Sequence, residues 1–326
     1  MLTDAFGRRH DYLRISLTDA CNFRCTYCMP EENIKFMPSQ RLMQVGEIEA
    51  IAGMFVKMGV QKIRLTGGEP LVRKDAAAII KMLSGFGVEL TITTNGTLVH
   101  DYIDIFKEAG IRSINLSLDT LNREKFASIT RRNQFDKVWD NIHLLIENGF
   151  HVKVNAVVMK GVNDMEILDF VAWTRDLPVH VRFIEFMPFT GNLWDHDKVF
   201  SLQEMLALIG SEYSFVKLGD HPNDTAKKYK VLNHEGTFAV ISTMSAPFCS
   251  TCNRMRLTAD GKMKNCLFSK TEIDLLGAYR AGQDLEPLVK QCVAEKAEAL
   301  GGQFTSEYMS LDATHIENRS MIQIGG

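Results

Sequence analysis

Alternation of apolar and polar positions marks the first element of this chain. In Tyr12–Leu17, Leu13, Ile15 and Leu17 alternate with Arg14 and Ser16, the period of a strand buried on one face. Helical spacing takes over in Gln44–Met58 and stops at Gly59. The exchange then recurs, with strands at Gln61–Thr66, Glu89–Thr94, Ser113–Leu118, Val152–Val158 and Val179–Phe186. Between them lie helical patterns at Lys74–Leu83, Tyr102–Ala109, Phe135–Asn148 and Met165–Thr174. Six strand–helix alternations with short connections predict a parallel sheet with right-handed crossovers. Barrels of this kind carry their chemistry at the C-terminal ends of the strands. The distinctive residues fall there: a cysteine loop after the first strand, then Gly67–Pro70, Asn95-Gly96, Asp119 and Met187-Pro188. The pattern fits a partial barrel of six units or a doubly wound open sheet.

The alternation stops near residue 190. Leu202–Ile209 reads as a helix, and Tyr229–Leu232 and Thr237–Ile241 as short strands. Helical patterns follow at Ile273–Arg280 and Leu285–Leu300. Residues 1–190 are therefore expected to form the barrel, and 191–326 a layer closing its open side.

Composition narrows the function. The chain has 326 residues, 45% hydrophobic, with a net charge of −3. No broad basic field exists, so nucleic acid is not an expected partner. No run of about 18 apolar residues occurs, so no membrane span is expected, and the first residues lack a signal-peptide core. Seven cysteines are present, six of them in two triplets. A disulfide framework is not expected at this length, whereas two metal centres in a reducing cytoplasm fit the grouping. Cys292, in a helical pattern, reads as a small buried apolar residue.

The first triplet is Cys21-x3-Cys25-x2-Cys28. Three thiolates on one loop suit an iron–sulfur cube that keeps one iron open to a ligand. Zinc is the alternative, but closed structural zinc sites take four ligands. Gly67-Gly68-Glu69-Pro70 offers a turn where a ligand can approach the backbone. The second triplet, Cys249-x2-Cys252-x13-Cys266, again has three ligands, and zinc is again the alternative. Arg254 and Arg256 stand two apart within it, so on an extended segment both point one way. Beside an open iron they form a local anion pocket, and guanidinium forks suit phosphate. Arg64, Lys153 and Arg182 lie on predicted strands. Each alone reads as an exposed charge or an internal ion pair, but cations converging inside a barrel require an anion.

The C-x3-C-x2-C spacing, with an aromatic before the last cysteine, resembles the radical S-adenosylmethionine (SAM) superfamily. This resemblance favours the partial (β/α)6 TIM-like barrel of the radical SAM type. It implies a 4Fe–4S cluster on Cys21, Cys25 and Cys28, and a SAM site formed by Gly68, Tyr27, Ser117 and Met187. C-x2-C-N-R-x-R-L-T-A-D-G, followed by Cys266-Leu267-Phe268, is similar to the family of GTP 3′,8-cyclases of molybdenum cofactor biosynthesis. The similarity covers nearly the whole chain, from DAFGR to Gly325-Gly326.

It implies a second 4Fe–4S cluster on Cys249, Cys252 and Cys266, contacting the guanine of GTP. It also implies that Arg14, Arg64, Thr93, Lys153, Arg254, Met255 and Arg256 bind GTP, with Lys62 and Arg182 as weaker candidates. The triphosphate carries about four negative charges. Arg14, Arg254, Arg256, Gly325 and Gly326 would serve catalysis, with the paired glycines reaching into the pocket. An electron donor protein is implied as a partner, and a homodimer is compatible. Two other readings stay open. One is a radical SAM peptide modifier with an auxiliary cluster. The other is a zinc-stabilised nucleotide-binding protein without catalysis.

Overall fold

A computed structural model describes residues 1–31, 34–305 and 307–325. The first part of the chain runs β1 (Tyr12–Ser16), α1 (Val45–Lys57), β2 (Lys62–Thr66), α2 (Ala76–Ser84), β3 (Glu89–Thr94), α3 (Ile103–Glu108), β4 (Ser113–Ser117), α4 (Arg123–Thr130), α5 (Phe135–Glu147), β5 (His151–Val158), α6 (Ile167–Trp173) and β6 (His180–Glu185). These are the expected strand–helix units with one addition. Helix α4 escapes a periodicity reading because REKFASIT buries only Phe126, Ile129 and Thr130. The Asn122 side chain starts it by accepting the Lys125 N–H.

The rest comprises α7 (Leu202–Glu212), β7 (Phe215–Lys217), β8 (Lys227–Val231), β9 (Thr237–Ile241), β10 (Arg254–Leu257), β11 (Lys262–Lys264), β12 (Ile273–Asp274), α8 (Leu275–Arg280), α9 (Glu286–Ala294) and α10 (Met321–Ile324). The pattern over Ile273–Arg280 thus begins with a two-residue strand, and that over Leu285–Leu300 stops being helical at Ala294.

The strands form one sheet in the order β12-β11-β10-β1-β2-β3-β4-β5-β6-β9-β8-β7. All neighbours from β10 through β9 run parallel. The region after residue 190 therefore lends two strands to the main sheet, one at each edge, beyond the six of the sequence reading. Antiparallel hairpins continue both edges. Arg14, Arg64, Thr93, Asn115, Asn155, Arg182, Ile241 and Arg254, one from each of the eight parallel strands, line a single cavity. The sheet is thus curled around that cavity.

Alternation decides which residues face inward. On β1, Leu13 and Ile15 are fully buried in the outer hydrophobic layer, while Arg14 turns to the cavity. Strand β10 repeats this, with Met255 and Leu257 buried in the core and Arg254 and Arg256 lining the cavity. Phe55, Phe106, Phe170 and Phe183 fill the space between helices and sheet. Cys292 is buried in the same core, as its helical setting suggested.

Strand β9 enters beside β6 through Gly236, whose N–H bonds the Thr174 carbonyl at 2.9 Å. A Cβ there would lie 2.2 Å from the Val179 carbonyl oxygen and 2.7 Å from that of Leu177. Gly236→Ala is therefore expected to destabilise the fold by about 1–3 kcal/mol in chemical denaturation, the usual scale of overpacking. An unchanged denaturation midpoint would contradict this docking of β9.

Candidate active site

The first cysteine loop follows β1 at the rim and is held from two sides. Gly68 passes so close that a Cβ would lie 2.5 Å from the carbonyl oxygens of Asp19 and Ala20. Its N–H bonds Thr18 O at 2.8 Å, and Glu69 N–H bonds Ala20 O at 2.9 Å. The Glu69 carboxylate, fully buried, accepts from Leu71 N, Thr94 Oγ1 and Asn95 N, which ties the ends of β2 and β3 together. On the other flank, Arg24 N and Thr26 N donate to Thr130 O and Ile129 O at the end of α4. Arg131 donates to the carbonyls of Met29 and Pro30, and Arg132 to that of Asn22. This arginine pair thus clamps the backbone of the loop.

Two uncharged donors reach the first Cys21 sulfur, Phe23 N at 3.4 Å and Asn95 Nδ2 at 3.9 Å. Burial, then Glu69, pushes the Cys21 thiol up to about 11. Cys25 is driven well above its ordinary value by burial and by Cys28 and Asp119, and Cys28 by burial and Asp119. Tyr27 Oη donates to Asp119 Oδ2 at 2.8 Å. Gly68, Tyr27, Ser117 and Met187 line the cavity beside these thiols.

Cys249, Cys252 and Cys266 line the same cavity. Here one sulfur meets two cations. Arg254 Nη2 lies 3.2 Å and Lys296 Nζ 3.4 Å from Cys252 Sγ. Burial pushes Cys252 up, but Arg254 and Lys296 outweigh it and bring the thiol down to about 6. Leu300 N donates to Cys249 Sγ at 3.4 Å.

All six thiols are unbridged and half-buried. Tetrahedral zinc with Zn–S of ~2.3 Å sets its sulfurs about 3.8 Å apart. Among the described residues, only the surface group Asp195, His196 and Asp197 brings three ligand atoms within 4.8 Å of one another. Neither cysteine triplet brings its three sulfurs that close together. They fit a cube in which each thiolate holds a different iron.

Between the triplets lies a row of positive charge. Register pairs Arg14 with Arg256 on one side and Arg64 on the other. Three guanidiniums therefore sit at one level on adjacent strands, which are about 4.8 Å apart. Among the described residues none of them forms an ion pair. Arg64 Nε bonds Thr91 Oγ1 at 3.2 Å, and the buried Arg14 Nε has no partner. Arg14 is held well below its ordinary value by burial and then by Arg256 and Arg64. Burial and Arg254 bring Arg256 down to about 10, and burial and Arg64 bring Arg182 to about 9. Arg182 Nε and Nη2 are likewise buried without partners. Lys153 lies on the inward face of β5 and is lowered to about 8 by burial, Arg182 and Arg64. Thr93 lines the cavity, with its buried hydroxyl unpaired.

Two of the expected GTP residues have side chains engaged elsewhere. Met255 lies wholly in the outer core because β10 alternates, so its side chain is unavailable to a ligand in the cavity. Lys62 is occupied by Glu89 at 2.7 Å, next to it on β3. The segment before Gly325 does enter the barrel, with Ile322 and Ile324 buried. Arg256 Nη1 donates to Gly325 O at 2.5 Å. Gly325 has φ +85°, and a Cβ would lie 2.7 Å from Thr66 Oγ1 and 2.8 Å from Ser16 Cβ. Gly326 lies outside the described residues. The sequence reading missed Asn155, although its place two residues after Lys153 on β5 puts it on the same inward face. Lys296 carries no motif signal and was also missed.

Residues 15–174 match the family described as Radical SAM superfamily, and residues 179–301 the one described as Molybdenum Cofactor Synthesis C. The chain is 46% identical to a protein of Arabidopsis thaliana named GTP 3′,8-cyclase, mitochondrial, over 100% of this chain and 84% of that one. It is also 46% identical to molybdenum cofactor biosynthesis protein 1 of Mus musculus, over 99% of this chain and 51% of that one, so it spans about half of that relative. Streptococcus suis SuiB, solved bound to S-adenosylmethionine, shares the fold with a TM-score of 0.60 at 17% identity, covering 96% of this chain and 73% of SuiB.

Protein purified without oxygen should carry about eight irons and eight sulfides per chain, as two cubes require. Zinc without sulfide, at one or two ions per chain, would contradict the site.

Proposed function

The chain belongs to the GTP 3′,8-cyclase family of the radical SAM superfamily, and from that membership we propose how its residues work. The reaction is the conversion of GTP to (8S)-3′,8-cyclo-7,8-dihydroguanosine 5′-triphosphate in molybdenum cofactor biosynthesis. One observation carries the residue assignment: two cysteine triplets face a single cavity whose walls hold the Arg256–Arg14–Arg64 row.

When bound, the first cluster supplies the electron that cleaves SAM to methionine and a 5′-deoxyadenosyl radical, and the second supplies an open iron for the guanine. The protein's task is placement. Gly68 presents bare backbone to the methionyl end of SAM, while Tyr27, Ser117 and Met187 flank it. The guanidinium row, with Arg182 and Lys153, holds the triphosphate and offsets its charge. Arg254 stands between that row and the second triplet, so it fixes the nucleotide's base end relative to its phosphates. The Arg14 and Arg256 charges thereby set the ribose between the two centres. A peptide substrate is disfavoured, because it brings no polyanion to neutralise the row.

An external electron donor protein is part of the proposal, since reductive cleavage of SAM consumes an electron. A homodimer rests on family resemblance alone. A cytoplasmic, reducing setting suits six free thiolate ligands. Among the described residues no helix is long and apolar enough to cross a membrane.

Arg256→Ala should weaken GTP binding by about one to two decades, the worth of a lost charged hydrogen bond of ~1.5–3 kcal/mol. Affinity for guanosine and SAM should stay nearly constant. Equal losses for guanosine and GTP would remove Arg256 from the phosphate site. Cys266→Ser should keep part of the SAM cleavage and lose the cyclised product; native product formation would sink the substrate role of the second triplet.

Gly325 accepts from Arg256 in a space with no room for a Cβ, so Gly325→Val is expected to expel the tail. Iron content and uncoupled SAM cleavage should persist while cyclisation collapses. Cyclisation at the native rate would show that the tail has no part in the reaction.

A further inference from the structure

The two cysteine sites differ in whether a cation reaches a sulfur: at the first, Arg24 lies near but donates to the carbonyls of Cys21 and Phe23. Around the first, the donors to sulfur are an amide nitrogen of Asn95 and the backbone of Phe23, and the nearby ionisable groups include the carboxylates Glu69 and Asp119. Around the second, a lysine reaches a sulfur directly. Lys296 follows α9 and is only 4% exposed. Its Nζ lies 3.4 Å from Cys252 Sγ and donates to Arg254 O at 3.0 Å.

The turn that carries this lysine is anchored on both sides. Leu300 N reaches Cys249 Sγ. Arg8 donates to the carbonyls of Ala297, Glu298 and Cys249, and is itself held by Asp4 at 2.6 Å. The ammonium is thus fixed before any ligand binds. Among the described residues it forms no ion pair with a carboxylate. Its position opposite Cys252 needs a negative partner, because a buried ammonium without one is costly.

An iron–sulfur centre gains negative charge when reduced, and its potential follows local charge and hydrogen bonds to its sulfurs. We propose that Lys296 is a positioning residue that sets the second centre's reduction potential above that of the first. The inference rests on the reading that Cys249, Cys252 and Cys266 hold a 4Fe–4S cluster. The charge sits on the cysteine side of the centre, away from the Arg256–Arg14–Arg64 row. Its effect therefore precedes substrate binding and does not depend on it. An electron that reaches the second centre then stays there, and the strongly reducing electron needed for SAM resides at the first.

The test is a redox titration of the cluster-loaded full chain, read by electron paramagnetic resonance. The first cluster's signal is identified by its response to SAM. Iron content of the unsubstituted protein is measured beforehand; about four irons per chain instead of eight would overturn the two-cluster reading and this inference with it. In Lys296→Met and Lys296→Gln the second cluster's reduced-to-oxidised ratio, at the native midpoint, should fall about tenfold, which is about 59 mV for a one-electron couple. The first cluster's midpoint should not move, and Lys296→Arg should restore the native value. An unmoved second midpoint, or equal shifts of both, would overturn the proposal. Loss of the second cluster from both neutral variants would also overturn it, leaving Lys296 a structural clamp.

Discussion

Like charge at close range inside a barrel is the constraint on which this structure turns. Arg256, Arg14 and Arg64 occupy one register level on three adjacent strands, and among the described residues none has a carboxylate partner. Parallel pairing of β10 with β1 and of β1 with β2 forces them together; side-chain flexibility relieves little, because Arg64 and Arg256 are buried. Such an arrangement destabilises the empty protein and is tolerated where an anion completes it. The Gly325 carbonyl on Arg256 is a partial and neutral substitute. A triphosphate is the larger complement.

Everything else places chemistry on the two sides of that row along the strands. Below the rim, the outer faces of the same strands are apolar and lock the register: Leu13, Ile63, Leu65, Met255 and Leu257 are all fully buried. At the C-terminal rim one cysteine loop is pinned by Gly68 and by the end of α4; the other, ahead of β10 at the opposite end of the parallel strands, is pinned by the Arg8 and Lys296 contacts. The two loops are chemically unlike. Burial and carboxylates disfavour charge at the first, while at the second the fixed cations Arg254 and Lys296 favour it on Cys252. One cavity thereby offers two centres of different character to two different ligands.

Much of this was legible in the chain. Period-two alternation located all six strands of the first part, and the cysteine spacings named both metal sites before any geometry was available. The inward cations were visible as charges interrupting apolar alternation, as at Lys153 in VKVNAVV. What escaped has physical causes. Strands β9 and β10 are five and four residues long, and nothing local in a short strand says which edge of a sheet it joins. Helix α4 has too few apolar residues for a periodic signal. Alternation between Arg254 and Arg256 turns the Met255 side chain to the outer core. Lys296 acts through a turn whose position depends on contacts almost 290 residues apart in sequence, such as Arg8 with Ala297.

The central claim, that the row is held in the fold for a polyanion, has a direct measurement: thermal unfolding of Arg14→Met with and without GTP. Removing the middle charge relieves the repulsion, and methionine keeps the apolar stem, so the nucleotide-free variant should melt above the unsubstituted protein. Its gain in melting temperature on adding GTP should largely vanish, while the gain on adding SAM persists. A nucleotide-free Arg14→Met that melts lower, yet keeps the full stabilisation by GTP, would contradict the claim.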